Sequence, residues 1–517
     1  MPYKNRKPSY GNYILLFVLL KVLFNLLCFS HYGFHRDELL HLALADHLSW
    51  GYKEVPPFIA LLAFIVKHVL GGSMFATRLF PTIFSAALIW LVGKLVVEFG
   101  GRRFAIAVAC LSIIFSPGFS GSGYLFQPVI FDQFWWVLSV WLLVKFINTK
   151  ENKFIYLFGV AVGLGILTKY TMLFFIAALL IGLLSSKHRK LLISKPFLLS
   201  ALIALLIFLP NIIWQSTHHL PVFTHMHKLQ KYQLDGNDRT DFVKQTFLIN
   251  GVALFVWLIG FVCFFASYKL RRYAFLAIAF VAVFTFLLAM HGKSYYLFPA
   301  FPMLFAAGGY MIERWVKTSW NILRVVIILL FTVPNMLLFP VALPFLPLKT
   351  TVAYIDKLKQ RLPGFRFAVT WEDHKQHPLT QDYADMLGWD EMVNASVAAY
   401  NKLNPGEQAG TVFFADNYGE SGAFMHLAPP ELQPKFISMD SSFALWAPAD
   451  LNAKNLIYIS DDADVSDLIP FSESIVKVGE VTNPLAREYG TAVFLIKGIK
   501  PELRKIYQQH LQQKLLE

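Results

Sequence analysis

The sequence predicts a polytopic α-helical membrane domain of about eleven transmembrane helices with helices on its outer surface, followed by a small C-terminal α/β domain outside the membrane. Three observations predict it. Apolar runs of membrane-spanning length recur from Tyr13 to Phe345 in a chain that is 56% hydrophobic, with a mean hydropathy of +0.50. Every second connecting loop is basic. Beyond Pro347 the apolar runs give way to alternating strand-like and helix-like segments.

The apolar runs centre on residues 12–29, 79–98, 104–120, 127–147, 154–168, 170–185, 196–214, 246–268, 273–290, 297–312 and 321–345. The fifth and sixth are short. The basic segments are Lys4, Arg6 and Lys7, then Arg102 and Arg103, Lys150 and Lys153, the run from Lys187 to Lys195, Lys269 to Arg272, and Arg314 with Lys317. Positive charge is retained on the cytoplasmic side, so the N-terminus is expected in the cytoplasm of a bacterial inner membrane and the C-terminal domain on the extracytoplasmic, periplasmic side. The loops left for the outer face hold Asp37, Glu38, Asp46, Glu54, Asp235, Asp238 and Asp241, which supports the same orientation. The first apolar run follows a basic leader but lacks a small-residue cleavage site, because Cys28-Phe29-Ser30-His31-Tyr32 follows it; it reads as a retained anchor.

Residues 1–345 are therefore expected to form the membrane domain and 346–517 the outer domain. In the latter the pattern predicts helices over 351–361 and 380–403 and strands over 365–370, 411–415, 455–460 and 491–497. The net charge of +13 is split between +19 in the first part and −6 in the second. The basic excess lies in cytoplasmic loops that face anionic lipid, and no nucleic-acid motif accompanies it. Cys28, Cys110 and Cys263 all fall in predicted spans, so the outer domain has no disulfide framework.

Dense charge follows the first span. His35-Arg36-Asp37-Glu38 opens a stretch with apolar residues at 40, 43, 44 and 48, the spacing of an amphipathic helix lying on the outer membrane surface. The plain role for Asp37 is the N-cap of that helix, with Glu38 complementing its dipole. Against it, one cap does not require His35, Arg36, Lys53 and Glu54 as well, and a carboxylate at a bilayer surface suits a general base toward a hydroxyl or amine. Lys53-Glu54-Val55-Pro56-Pro57 is a stiff, extended element that either links two surface helices or presents Lys53 to a lipid phosphate. A second surface helix is expected over 58–70.

Asp132, among aromatics at the outer end of a span, is costly to place and marks a functional position unless it caps that span. Lys169 and Lys293 lie in outer turns, against the positive-inside tendency, and invite an anionic ligand, for which a phosphate is the natural choice. His291 and the interface aromatics Tyr295 and Tyr296 flank Lys293. Lys21, within the first span, is expected to snorkel toward the interface. His35, His41 and His47 leave a divalent cation open, but their spacing with Asp37 matches no known ligand pattern, and no metal site is predicted.

In chain order, Asp37-Glu38, the Pro-Pro loop, Arg78-Leu79-Phe80-Pro81, Asp132, Gly163-Leu164-Gly165-Ile166-Leu167-Thr168-Lys169 and Lys293-Ser294-Tyr295-Tyr296-Leu297-Phe298-Pro299-Ala300 resemble the bacterial branch of glycosyltransferase family 39. That branch is similar to the dolichyl-phosphate-mannose protein mannosyltransferases and the lipid A aminoarabinose transferases, which share the GT-C membrane fold. The resemblance covers roughly residues 10–345.

It implies transfer of one sugar from a polyprenyl-phosphate donor to an extracytoplasmic lipid, polysaccharide or protein, with inversion at the anomeric carbon. By position, Asp37 would be the catalytic base with Glu38 its partner, and Asp132 a second acidic residue. Lys53 and Glu54 would hold the rim, and Arg78, Lys169 and Lys293 would neutralise the departing phosphate. The Lys-Glu-Val-Pro-Pro order here departs from the Glu-Lys-Pro-Pro of the aminoarabinose branch. Asp416-Asn417-Tyr418-Gly419-Glu420 and Leu445-Trp446-Ala447-Pro448 resemble segments in the outer domains of family members, without an assigned role. A transporter of lipid-linked sugars, the rival reading, is expected to show inverted repeats and charges near the midplane; a non-catalytic scaffold would leave Asp37 replaceable.

Overall fold

The computed structural model describes residues 10–29, 31–462 and 464–516. Lys4, Arg6 and Lys7, on which part of the expected orientation rests, lie outside these residues. The chain is predominantly helical with one small sheet, and it divides into two compact units. One comprises residues 1–28, 78–213 and 227–343; the other comprises 29–77, 214–226 and 344–517. By compactness, the segment after the first helix therefore groups with the C-terminal region.

The first unit is a helical assembly. Among the described residues, Met74–Phe99, Pro128–Thr149, Lys195–Thr217, Arg271–Ala289 and Ser294–Trp315 are long and apolar enough to cross a bilayer. Arg239–Leu248 and Gly251–Ala266 reach that length and apolarity only together, and they are bent by 92° at their junction, as in a broken span or a re-entrant loop. Shorter apolar helices, among them Gly11–Leu26, Arg103–Ile114, Asn152–Ile166, Thr171–Leu184 and Asn321–Met336, occupy the remaining expected stretches. Hydropathy predicts a continuous run at 246–268; the chain instead turns at Asn250-Gly251, where Gly251 has φ +54° and Asn335 accepts from the Val252 amide.

Helices Leu254–Ala266 and Phe301–Trp315 touch backbone to backbone, because a Cβ on Gly260 or Gly308 would collide with the carbonyl of Leu304 or Val256. Lys21 does not snorkel. It is 3% exposed, and its ammonium lies near Gly123 beside Ser85. Glu98 and Lys145, on two different helices, form a 2.6 Å ion pair that Asn148 completes with a 2.8 Å hydrogen bond.

In the second unit the C-terminal region builds a five-stranded mixed sheet from β1 (Thr411–Ala415), β2 (Phe436–Ser438), β3 (Asn455–Ser460), β4 (Ser474–Glu480) and β5 (Ala492–Lys497). Their order is β2-β1-β3-β5-β4. β1 runs parallel to β2 and β3, and β5 runs antiparallel to β3 and β4. The alternation of side chains sends Phe413, Ala415, Ile457, Ile459 and Val493 to one core and Leu456, Phe494 and Ile496 to another. The first core is covered by helices Trp389–Asn401 and Tyr418–Leu427, the second by helix Pro501–Leu516.

Two elements differ from the sequence expectation. Residues 365–370, expected as a strand, lie in a 3₁₀ segment, Pro363–Val369, which a proline initiates. The helix expected over 380–403 is two helices, Gln381–Ala384 and Trp389–Asn401, separated by a turn in which Gly388 adopts φ +91°.

Candidate active site

The charged segment after the first span folds into helix Arg36–Ala43 followed by a 3₁₀ turn, Leu44–Asp46. Its N-cap is His35, not Asp37. His35 Nδ1 accepts from the Asp37 amide at 3.1 Å, and the Glu38 carboxylate accepts from the His35 amide at 2.9 Å, closing a reciprocal capping box. Glu38 is fully buried and holds the helix start together, whereas Asp37 is only partly buried.

The apolar face of this helix is buried against the C-terminal region. Leu39 joins the core formed by Trp389, Phe413 and Phe424; Leu40 and Ala43 pack with Phe443, next to Tyr418 and Trp446. A Cβ on Gly422 would come within 2.6 Å of the Leu39 backbone, so the two helices meet without an intervening side chain.

Asp37 lies beside a hydroxyl donor and the Arg36 guanidinium. Tyr418 Oη donates to its Oδ1 at 3.2 Å. Burial alone would raise the Asp37 carboxyl, but the positive and hydrogen-donating groups around it, Arg36 and the Tyr418 hydroxyl among them, outweigh burial and hold it below the ordinary aspartate value. Arg36 lies 4.4 Å over the Tyr418 ring and 3.8 Å from Glu488. Asp385 stands 3.7 Å from His35 and 3.3 Å from Arg487, and burial pushes its carboxyl up to about 6.

The Pro-Pro loop is fixed from the same region. The Lys53 amide donates to Ser442 Oγ at 2.9 Å, and its ammonium bonds the Lys514 carbonyl. Ser442 donates to Glu54 at 2.6 Å, and burial lifts the Glu54 carboxyl to about 7. Further along, His47 stacks on Trp446 at 4.2 Å.

In the first unit Asp132 is 2% exposed and accepts from Trp136 Nε1 at 2.8 Å and Thr171 Oγ1 at 2.7 Å. Lys169, which begins the turn before Thr171, sits 5.1 Å and 4.7 Å from the ring centres of Tyr295 and Tyr296, whose planes cross at 63°. Two aromatic faces thus cradle one ammonium.

Arg78 is fully buried and donates to the Cys28 carbonyl at 3.2 Å, 5.6 Å from the Tyr124 ring. Lys293 reaches Gln233 at 3.0 Å. His291, at φ +52°, exchanges two hydrogen bonds with Asn237, at 2.9 and 3.0 Å, and so fixes its turn. Among the described residues no three His, Cys, Asp or Glu side chains gather so as to hold a metal ion.

Tyr418, Ser442, Asp385, Arg487 and Glu488 are not among the residues that the sequence singles out as a site. The Asp416-to-Glu420 segment is a signal for Tyr418 alone: Asn417 caps the helix, Tyr418 meets Asp37, and Gly419, with Gly422 just beyond, admits Arg36 and the Leu39 backbone.

Residues 54–214 match the family model for dolichyl-phosphate-mannose-protein mannosyltransferase. A comparison with curated protein sequences finds no match. Among solved structures, ArnT from Cupriavidus metallidurans in the apo state aligns with a TM-score of 0.66 at 14% identity, covering 94% of this chain and 98% of that one. The same protein bound to undecaprenyl phosphate aligns at 0.61 and 15% identity with the same coverage, 94% and 98%. The arabinofuranosyltransferase AftD from Mycobacteria aligns at 0.53 and 11% identity, covering 96% of this chain and 40% of that one.

Proposed function

From a chain that is a multi-pass membrane protein of GT-C fold, similar to the family 39 glycosyltransferases, we propose a membrane enzyme that moves one sugar from a polyprenyl-phosphate donor to an acceptor. The observation that carries this reading is the setting of Asp37: a partly buried carboxylate that follows Arg36 and accepts a hydrogen bond from the Tyr418 hydroxyl, both of which favour the ionised form that a general base needs. The likeness to an ArnT structure holding undecaprenyl phosphate supports the donor class.

In this mechanism an Asp37 oxygen takes the proton of an acceptor hydroxyl or amine. The acceptor atom forms its bond to the anomeric carbon from the face opposite the phosphate, the bond from that carbon to the phosphate oxygen breaks, and the configuration inverts. The polyprenyl phosphate leaves with an extra negative charge. Lys169, Arg78 and Lys293 are assigned to neutralise it, Lys169 on its two-tyrosine cradle. Asp132 orients the Lys169 turn through Thr171. Lys53 and Glu54 form the rim, and Glu38 acts through the helix cap that aims Asp37. Transfer is assigned to the extracytoplasmic face of a bacterial inner membrane, with the α/β domain on that side helping to choose the acceptor.

The test is extraction of lipid-linked sugars and surface glycans from cells expressing wild-type or Asp37→Asn protein, compared by mass spectrometry. A glycan short by one sugar, with its polyprenyl-phosphate donor accumulating, supports the enzyme and identifies donor and acceptor together. Full transfer by a well-expressed Asp37→Asn protein would leave a transporter or a scaffold as the better reading.

A further inference from the structure

We propose that Tyr418, on the C-terminal α/β domain, is a positioning residue for Asp37, so that this domain completes the catalytic base as well as facing an acceptor. The inference rests on the reading of Asp37 as the base.

The contact is built. Tyr418 is the first residue of its helix; its amide is held by Asp440 Oδ2 at 2.9 Å, and the preceding Asn417 accepts from the Glu420 amide at 3.0 Å. The helix is pressed onto the Arg36 helix where two glycines remove the side chains that would separate them. A Cβ on Gly419 would lie 2.7 Å from Arg36 Nε, and one on Gly422 would lie 2.6 Å from the Leu39 backbone. From this close approach the Tyr418 ring reaches under the Arg36 guanidinium, 4.4 Å away, and its hydroxyl reaches Asp37 Oδ1 at 3.2 Å. Arg36 is itself tied down, its amide to the Asp385 carbonyl at 3.0 Å and its guanidinium to Glu488 at 3.8 Å.

The chemistry follows from these fixed atoms. A carboxylate on a short side chain rotates about its last bond, and a donor locked on one oxygen restricts that rotation. A hydrogen bond to the charged form also favours ionisation. Tyr418 keeps its own proton throughout; the proton that moves comes from the acceptor to Asp37. The charged and titratable groups facing Asp37 include His35 at the helix cap, Arg36 and His41 on its own helix, and Tyr418, Asp382 and Asp385 from the C-terminal region.

Tyr418→Phe keeps the ring beside Arg36 and removes only the hydroxyl. Two measurements on full-length protein test the proposal. The first needs no sugar: a water-soluble carbodiimide with glycine ethyl ester labels protonated carboxyls, and peptide mass spectrometry across a pH series gives the labelling midpoint of Asp37. That midpoint is expected at higher pH in Tyr418→Phe than in wild type. The second is sugar transfer in cells, expected to fall roughly ten-fold or more, the scale of a lost hydrogen bond to a charged group, with the protein present at wild-type level.

An unmoved midpoint overturns the proposal. So does a raised midpoint with undiminished transfer, because the contact then serves no catalytic purpose. Should Tyr418→Phe fail to accumulate, 3-fluorotyrosine at position 418 replaces it: this more acidic hydroxyl is expected to move the midpoint to lower pH, and no movement overturns the proposal. Failure of the underlying reading looks different, since Asp37→Asn would then transfer sugar normally whatever Tyr418 does.

Discussion

Ser442 donates a 2.6 Å hydrogen bond to Glu54 Oε2 and accepts one of 2.9 Å from the Lys53 amide, so a single hydroxyl fixes both charged residues of the Pro-Pro loop. Among the described residues the buried Glu54 Oε1 meets no hydrogen-bond partner, and burial outweighs the Ser442 bond to lift the carboxyl to about 7.

A carboxyl whose folded value lies above its unfolded value loses stability as pH rises, starting near the unfolded value and ending above the folded one. For Glu54 that window runs from 4.5 to about 7. Glu54→Gln is therefore expected to match wild-type thermal stability near the bottom of the window and to exceed it above the top, by about 1–3 kcal/mol. Melting curves in detergent at several pH values check this, and equal curves at high pH would refute it.

Removing Lys145 from the Glu98–Lys145 pair strands the buried Glu98 carboxylate among the helices. Lys145→Met, which leaves the buried Glu98 carboxylate without its cation, is expected to cost about 3–5 kcal/mol, Glu98→Leu less because the Lys145 side chain is partly exposed, and the double substitution less than the two combined. A double-mutant cycle in thermal unfolding measures the coupling; additive losses would show that the 2.6 Å pair contributes nothing specific.

Gly422→Ala places a methyl group 2.6 Å from main-chain atoms, which cannot rotate aside as a side chain can. A loss of about 2 kcal/mol or more is expected, on the scale of overpacking a close contact. Gly236→Ala, where a Cβ meets nothing within 4 Å, serves as the control and is expected to be neutral. Equal stability of the two variants would contradict the close approach.

The Lys169 cradle predicts a division of labour. Lys169→Ala is expected to raise the donor KM by about ten-fold or more, whereas Tyr295→Leu or Tyr296→Leu alone is expected to cost about 1 kcal/mol of the same interaction. Transfer kinetics with the donor that the lipid extraction identifies decide it, and an unchanged KM in Lys169→Ala would remove that residue from phosphate binding.

The membrane helices are legible in the sequence because an apolar run of span length is rarely compatible with anything but a buried or membrane helix, and each run contains a helix. Their ends and breaks are not, since the turn at Asn250-Gly251 depends on Asn335, far away in sequence. In the C-terminal domain β1, β3 and β5 stand out as buried apolar strands, whereas β4 is an exposed edge with little apolar pattern. Phe365 to Thr370 imitates a strand because it alternates, and the pattern carries no sign that Pro363 starts a 3₁₀ turn through it. Asp37 stands out by its company, but its partner Tyr418 is 381 residues away and no local pattern connects them. The burial of Lys21 is hidden in the same way: what receives a buried ammonium comes from other helices.

The burial of helix Arg36–Ala43 against a helix that begins at Tyr418 also constrains biogenesis. At ribosomal speeds of about 5–20 residues per second, roughly 20 to 80 s separate the synthesis of the two partners. During that interval Leu39 and Leu40 lack their native apolar cover and must be shielded by lipid, by insertion machinery or by non-native contacts. A truncated product ending before Tyr418 never acquires the native cover for these groups, which makes the last fifth of the chain the step at which quality control can tell a finished protein from an abandoned one.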